Sequence, residues 1–149
     1  MAEPWHEMMQ NEMRDAVRAL GASVAEAAPA PAAFVAAARR LRGTAFLARQ
    51  ESVSALAAAL ERLGTSIESR AVRWDVETSS ATREAIALLQ RLDEHVPTAM
   101  EERTLELLTG RLQRLAPAPS PDEARGEGAD FLATHLTSIV AALRTLSRT

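Results

Sequence analysis

The 149-residue chain contains no cysteine, no lysine and no tyrosine, and aromatic residues make up only 3% of it. Without cysteine, disulfides, thiolate nucleophiles and thiolate-based zinc sites are excluded together. With so few aromatic residues, leucine and alanine must form most of the core. The alternation of apolar and polar residues that is typical of β-strands is also missing. These absences favour an all-α protein.

The charge and the terminal sequence exclude several classes of partner. The formal net charge is -3, so the bulk charge favours neither nucleic acid nor a membrane surface. The first seven residues are acidic and lack an apolar stretch, which does not fit a secretory signal. No apolar run is long enough to span a bilayer. We therefore expect a cytoplasmic protein that binds neither nucleic acid nor membrane.

Apolar residues recur at three- and four-residue steps and predict six amphipathic helices. They predict an up-and-down helical bundle over residues 1–115, a Pro/Gly-rich linker over 116–129, and a C-terminal helix over 130–149. That last helix is expected to pack on the bundle or on a partner chain. The predicted helices span Trp5–Ala27, Ala32–Ala48, Val53–Ile67, Thr82–His95, Thr98–Leu115 and Asp130–Leu146.

Local signals mark some of the helix boundaries. Thr98 and Glu101 have the spacing of a capping box, and Ser52 is expected to cap the third helix. The stretch Glu68–Ser80 is interpreted as a polar connection. Its Trp74 suits packing over a bundle end better than anchoring a partner.

The first helix begins with three methionines, Met8, Met9 and Met13. Methionine side chains adapt to irregular surfaces and are common in promiscuous binding faces. At this helical spacing, packing in the core is the favoured interpretation.

The second predicted helix contains an internal glycine, Gly43, directly after Arg39, Arg40 and Arg42. Glycine costs a helix about 1 kcal/mol relative to alanine, so some benefit must offset it. Arg39 and Arg42 are three residues apart and share a face with Gly43. Two interpretations stay open. Either this is an open cationic patch, or it is a solvated arginine face beside a tight helix crossing that needs Gly43.

The stretch Arg39-Arg40-Leu41-Arg42-Gly43-Thr44-Ala45 resembles the His-x-Leu-Lys/Arg-Gly-small motif of the histidine phosphotransfer (HPt) domain family. The run Leu56-Ala-Ala-Ala-Leu60-Glu-Arg-Leu63 also resembles the third helix of such domains, particularly those of chemotaxis kinases. The resemblance covers residues 5–96 and implies an HPt-like four-helix core. It differs at the first motif position, where Arg39 replaces the phosphoacceptor histidine.

This resemblance implies that the chain keeps the docking surface of an HPt domain but cannot transfer a phosphoryl group. A guanidinium stays protonated in proteins and offers no lone pair, so Arg39 cannot accept a phosphoryl group. The implied function is a non-catalytic signalling adaptor that binds a receiver domain or a histidine kinase. Arg39, Arg42 and Gly43 would lie at the centre of the binding site, with Arg40 at its rim and Thr44 among the small docking positions.

Two other classes of function remain as alternatives. One is a structural bundle or homo-oligomerisation scaffold, favoured by the surplus of amphipathic helices. The other is an all-helical enzyme whose paired arginines hold an anionic substrate, but no acid-base partner accompanies them. His6, His95 and His135 lack the basic-Gly-small sequence and metal-ligand spacing. The sequence therefore predicts no catalytic residue, no metal and no cofactor.

Overall fold

The computed structural model describes residues 4–92 and 97–117, which form helices and their connections without any strand. This confirms the all-α helical bundle. The described helices are α1 (Pro4–Ser23), α2 (Pro31–Leu47), α3 (Glu51–Glu68), α4 (Val76–Arg91) and α5 (Ala99–Leu115). They belong to a unit that spans Met1–Ala116. The predicted linker beyond that unit, the predicted C-terminal helix and the predicted end of the fourth helix lie outside the described residues.

The described helices enclose one core in the order α1, α2, α3, α5, α4. Helix α1 packs against α2 and α4, while α5 packs against α3 and α4. Helix α3 contacts α4 as well, which brings it towards the middle of the bundle. Leucine and alanine dominate the core, as the scarcity of aromatic residues predicted. Its fully enclosed members include Leu20, Leu41, Leu56, Leu60, Leu63, Ala16, Ala38, Ala45, Ala57, Ala81 and Ala85.

Gly64 of α3 packs closely against Phe34 and Val35, near the start of α2. A Cβ atom on Gly64 would lie 2.5 Å from Cδ1 of Phe34 and 2.8 Å from Cγ2 of Val35. Real Cβ atoms do not come so close to neighbours, so only glycine fits there without repacking. The Phe34 ring thus fills the space that a side chain would occupy, and the α2–α3 pair is held tightly together.

Two of the predicted helix starts are corrected by the structure. Helix α4 begins at Val76, so the polar connection is Ser69–Asp75 rather than Glu68–Ser80. Asp75 caps it by accepting a hydrogen bond from the backbone N–H of Thr78 at 2.8 Å. This bond lowers the pKa of the Asp75 carboxyl. Helix α3 begins at Glu51, with Gln50 at the N-cap position, so Ser52 lies inside the first turn and does not cap it.

One further boundary follows its local signal and another does not. Thr98 and Glu101 form the predicted capping box at the start of α5. Helix α1 ends at Ser23, four residues earlier than predicted. Trp74 is half-buried and packs against the core, which confirms the packing interpretation. Its side chain therefore does not project from the surface as a partner anchor would.

Two arginines close helices in the left-handed conformation that usually belongs to glycine. Arg49 has a φ of 60° and follows α2, and Arg70 has a φ of 66° and follows α3. In both places the next backbone N–H donates to a carbonyl in the last helical turn, as in a Schellman-type ending. The chain therefore turns sharply at the ends of α2 and α3.

Candidate docking site on helix α2

Helix α2 separates a buried stripe from an exposed face. Pro31 occupies the first turn, where its missing N–H costs no hydrogen bond. Phe34, Ala38, Leu41 and Ala45 are buried, as their three- and four-residue spacing predicted. Arg39, Arg42 and Gly43 lie on the exposed side of the helix. We call these three residues the Arg39 face.

A single carboxylate from α3 holds both arginines of the Arg39 face. Nε of Arg39 donates to Oε1 of Glu61 at 3.0 Å, and Nη1 of Arg42 lies 2.6 Å from Oε2. The second contact is an ion pair that is not aligned as a hydrogen bond, so the enclosed Oε2 has no aligned donor. The Glu61 side chain is only 13% exposed, whereas that of Arg39 is 63% exposed. One acidic group thus anchors two cations whose outer surfaces face solvent.

This arrangement changes the expected electrostatics of the face. Two guanidinium groups and one carboxylate leave a net charge of about +1 rather than +2, so the cationic patch is partly neutralised. Because Glu61 fixes the position of both guanidinium groups, less side-chain entropy is lost when a partner contacts them. The face is therefore better suited to a defined carboxylate partner than to diffuse attraction of anions.

Gly43 is open to solvent and is not required by the packing. Among the described residues, no heavy atom would lie within 4 Å of a Cβ atom at this position. The interpretation that Gly43 serves a tight helix crossing is therefore wrong, since Gly64 is the glycine at the α2–α3 contact. An exposed helical glycine without an internal packing role leaves the backbone open to an approaching surface.

The structure sets Arg40 and Thr44 apart from the Arg39 face. Arg40 forms a hydrogen-bonded ion pair with Glu12 of α1 and lies 4.0 Å from Asp15. This pair lowers the pKa of the Glu12 carboxyl and raises that of the Arg40 guanidinium. Thr44 is half-buried, and its hydroxyl donates to the carbonyl of Arg40 at 3.0 Å. Arg40 therefore joins α2 to α1, and the Thr44 hydroxyl proton is used within its own helix.

Two apolar residues extend the exposed side of α2 and were missed as site residues. Phe46 is 73% exposed and Leu47 is 63% exposed. They lie seven and eight residues after Arg39, and Gly43 lies four residues after it. This spacing places Phe46 and Leu47 on the same side of the helix as Arg39 and Gly43. The available sequence signal was the helical spacing, which places Phe46 off the buried stripe of Phe34, Ala38, Leu41 and Ala45.

The histidines and a possible metal site are the other candidates that the sequence raised. His6 is exposed, and its Nε2 atom lies 3.3 Å from Nε2 of Gln10. His95 and His135 lie outside the described residues. No group of three acidic or histidine side chains in residues 4–92 and 97–117 is placed to hold a metal ion. No helix in these ranges is long and apolar enough to cross a membrane.

One cavity lies at the end of the bundle where α1 begins and α2 ends. It has a volume of about 70 Å³, and its lining includes His6, Gln10, Leu41, Gln50 and Val53. Pockets for small-molecule ligands usually have about 300–1,000 Å³. This cavity is therefore too small for such a ligand. A larger depression of about 580 Å³, lined by residues that include Glu84, Arg91 and Thr104, is open to solvent rather than enclosed.

Comparison with known proteins gives this chain no relative. No protein-family model, curated protein or solved structure matches it significantly.

Proposed function

We propose that this protein is a non-catalytic adaptor of the HPt type. It binds a receiver domain, or a kinase that carries one, through the Arg39 face and does not transfer phosphate. The observation that best supports the proposal is the exposed Gly43 beside two arginines that Glu61 holds in place. The proposed function implies a cytoplasmic protein.

The contact between Arg39 and Glu61 adds support from two separate stretches of sequence. Glu61 is the glutamate of the Leu-x-x-x-Leu-Glu-x-Leu run, and Arg39 stands at the phosphoacceptor position of the other motif. Although they are 22 residues apart, their side chains meet at 3.0 Å. The two stretches on which the resemblance rests are therefore in side-chain contact, which supports treating them as parts of one site.

The proposed contact with the receiver is electrostatic, and Arg39 itself cannot accept a phosphoryl group. A receiver presents a cluster of acidic side chains that normally binds a divalent cation. The planar guanidinium of Arg39 matches carboxylates in geometry and charge. Because a guanidinium stays protonated, Arg39 offers no nucleophile to a phosphoryl group. The complex would therefore occupy the receiver without reacting with it.

The test combines receiver titration with phosphate analysis. The full chain is titrated by calorimetry against the receiver domains of its source organism, and it is incubated with a phosphorylated HPt donor. We expect binding to at least one receiver and no acid-labile phosphate on this chain. Arg39→Glu should weaken that binding by about tenfold or more, because it reverses a charge in the contact.

A matched control tests whether binding depends on the Arg39 face, and several results would contradict the proposal. Arg103→Glu makes the same charge change on the exposed side of α5, which does not contact α2, and should leave affinity unchanged. Equal affinity of the Arg39→Glu variant and the unaltered protein would sink the proposal. Phosphate on His6, His95 or His135 would show that another helix carries the activity. An obligate oligomer that buries the Arg39 face would favour the scaffold function instead.

A further inference from the structure

Glu61 occupies the position between Arg39 and Arg42 that an external anion would take. Its Oε1 accepts from Nε of Arg39 at 3.0 Å, and its Oε2 lies 2.6 Å from Nη1 of Arg42. Guanidinium groups commonly hold a phosphate or a carboxylate by contacts of this kind to its separate oxygens. The protein therefore supplies its own anionic ligand to this pair of arginines.

The packing of α2 against α3 keeps Glu61 in this position. Along α3 it lies between Gly64, which packs against the start of α2, and Ser54, whose hydroxyl donates to the carbonyl of Arg42 at 3.3 Å. Only 13% of the Glu61 side chain is exposed. If both guanidinium groups turned towards an external anion, a nearly enclosed carboxylate would lose its cations, which is strongly unfavourable. The two arginines therefore do not readily close around a second bridging anion.

The contact with Glu61 leaves one part of Arg39 available to a partner. This contact uses Nε, so it does not involve the two Nη groups at the outer end of the guanidinium, and 63% of the Arg39 side chain is exposed. Two adjacent Nη groups form a planar fork that matches the two oxygens of one carboxylate. A partner carboxylate can therefore bind Arg39 from outside while Glu61 stays in place.

The charge of the Arg39 face distinguishes a carboxylate from a phosphoryl group. With Glu61, its two arginines carry a net charge of about +1, and α2 has no acidic residue of its own. Arg62 shares the helical spacing of Ala55, which lines a depression between α3 and α5, so it lies on another side of α3. One carboxylate neutralises the face, whereas a phosphoryl group carries about −1.5 to −2 at pH 7 and is repelled by the fixed Glu61.

We infer that Glu61 determines the specificity of the Arg39 face, which accepts a carboxylate and excludes a phosphoryl group. For the proposed adaptor, the consequence is that it binds a receiver whose acceptor aspartate is unphosphorylated and dissociates when that aspartate becomes phosphorylated. This consequence rests on the proposed function, whereas the exclusion of phosphate rests only on the contacts of Glu61. Because Glu61 acts through the two arginines, it is a positioning residue.

The first test uses inorganic phosphate and does not need a receiver. The isotope-labelled full chain is titrated with sodium phosphate at constant ionic strength, and its amide and arginine Nε–H signals are followed by NMR. We expect no saturable shift at Arg39 and Arg42 in the unaltered protein. Glu61→Gln keeps the size of the side chain but removes its charge, so it should bind phosphate at least about tenfold more tightly.

Two further variants separate this effect from a change in net charge or in fold. Glu61→Asp keeps the carboxylate and should still exclude phosphate. Glu106→Gln removes the same charge from the exposed side of α5, which does not contact α2, and should leave phosphate binding unchanged. The helical circular dichroism spectrum of each variant checks that it is folded.

The second test measures the preference for one state of a receiver. Calorimetric affinities are compared for the receiver with and without beryllofluoride, which mimics the phosphoryl group on aspartate, with Mg²⁺ present throughout. We expect the unaltered protein to bind the unmodified receiver about tenfold or more tightly. Glu61→Gln should lower that ratio by about tenfold, because it removes the repulsion, whereas any change of shape in the receiver is the same for both proteins.

Several results would overturn the inference. These are saturable phosphate binding at Arg39 and Arg42 of the unaltered protein, failure of Glu61→Gln to gain such binding, or a receiver preference that Glu61→Gln leaves unchanged. If no receiver binds in either state, the proposed function fails, and the phosphate titration still decides whether Glu61 excludes phosphate. If receivers bind but phosphate exclusion does not depend on Glu61, only this inference fails.

Discussion

Replacing Gly43 by alanine should make this protein more stable. The added methyl group meets no heavy atom of residues 4–92 and 97–117 within 4 Å, so it introduces no clash with them. Alanine in a helix interior is favoured over glycine by about 0.5–1 kcal/mol, because glycine loses more backbone entropy on folding. We therefore expect Gly43→Ala to raise the free energy of unfolding by about that amount.

Two other helical glycines, Gly64 and Gly110, allow the same substitution to be compared at sites with different surroundings. Gly64→Ala places a methyl group 2.5 Å from the enclosed Phe34 ring, and overpacking of this kind costs about 1–3 kcal/mol. After a helix-propensity gain of about 0.5–1 kcal/mol is subtracted, a net loss of up to about 2.5 kcal/mol is expected. At Gly110 the nearest heavy atom is Nη1 of Arg114, at 3.6 Å, so Gly110→Ala should be stabilising like Gly43→Ala.

Urea unfolding of the three variants and the unaltered protein, followed by circular dichroism, measures these differences. The predicted order of stability places Gly43→Ala and Gly110→Ala above the unaltered protein and Gly64→Ala below it. A loss of stability in Gly43→Ala would refute the reasoning, because it would show that Gly43 has a packing role in the folded chain. The interpretation of Gly43 as an access point would then fail with it.

Three further predictions concern helix ends. Thr98→Ala removes the capping box of α5 and should lower the free energy of unfolding by about 1 kcal/mol in urea titration, whereas an unchanged midpoint would contradict the cap. Arg70→Gly relieves a left-handed arginine and should raise thermal stability by about 1 kcal/mol, while a loss would show that the Arg70 side chain stabilises the turn. Asp75→Ala should destabilise the protein at pH 7. Since the folded-state pKa of Asp75 is lowered, its contribution is present above its ordinary pKa of about 3.9 and is lost as the pH falls through the folded value. As the pH is lowered from 7 to 2, the urea midpoints of the variant and the unaltered protein should therefore converge. A constant difference would contradict the claim that the ionised Asp75 carboxylate stabilises the start of α4.

The sequence predicted the features that depend on short-range chemistry. The buried stripe of α2 and the capping box of α5 follow from spacings of three and four residues, which the structure reproduces. The start of α4 was missed because Thr78 and its neighbours are polar and poor helix formers. The structure shows why they are tolerated: the buried Thr82 hydroxyl donates to the Thr78 carbonyl at 2.8 Å, which satisfies it inside the core. Asp75, three residues before Thr78, was the available cap signal.

The candidate site depended on contacts that sequence spacing cannot supply. The i and i+3 spacing placed Arg39 and Arg42 on one side of α2, but it could not identify which helix provides a carboxylate to them. Glu61 reaches them across the α2–α3 contact, in which Gly64 of α3 also packs against Phe34 of α2. Likewise, the exposure of Phe46 depends on where the remaining described helices pack, and they leave this side of α2 uncovered.

One measurement tests most directly whether the open backbone at Gly43 is the docking point. Gly43→Gln adds a long side chain at a position where a Cβ atom has no neighbour within 4 Å in the described part of the chain, so the variant should fold with undiminished stability. Its affinity for the receiver that binds the unaltered protein is measured by calorimetry, with Ala87→Gln on the exposed side of α4 as the matched control. The account predicts that Gly43→Gln unfolds at the same or a higher urea concentration but binds about tenfold or more weakly, while Ala87→Gln binds normally. A stable Gly43→Gln variant that binds with unchanged affinity would contradict the central claim.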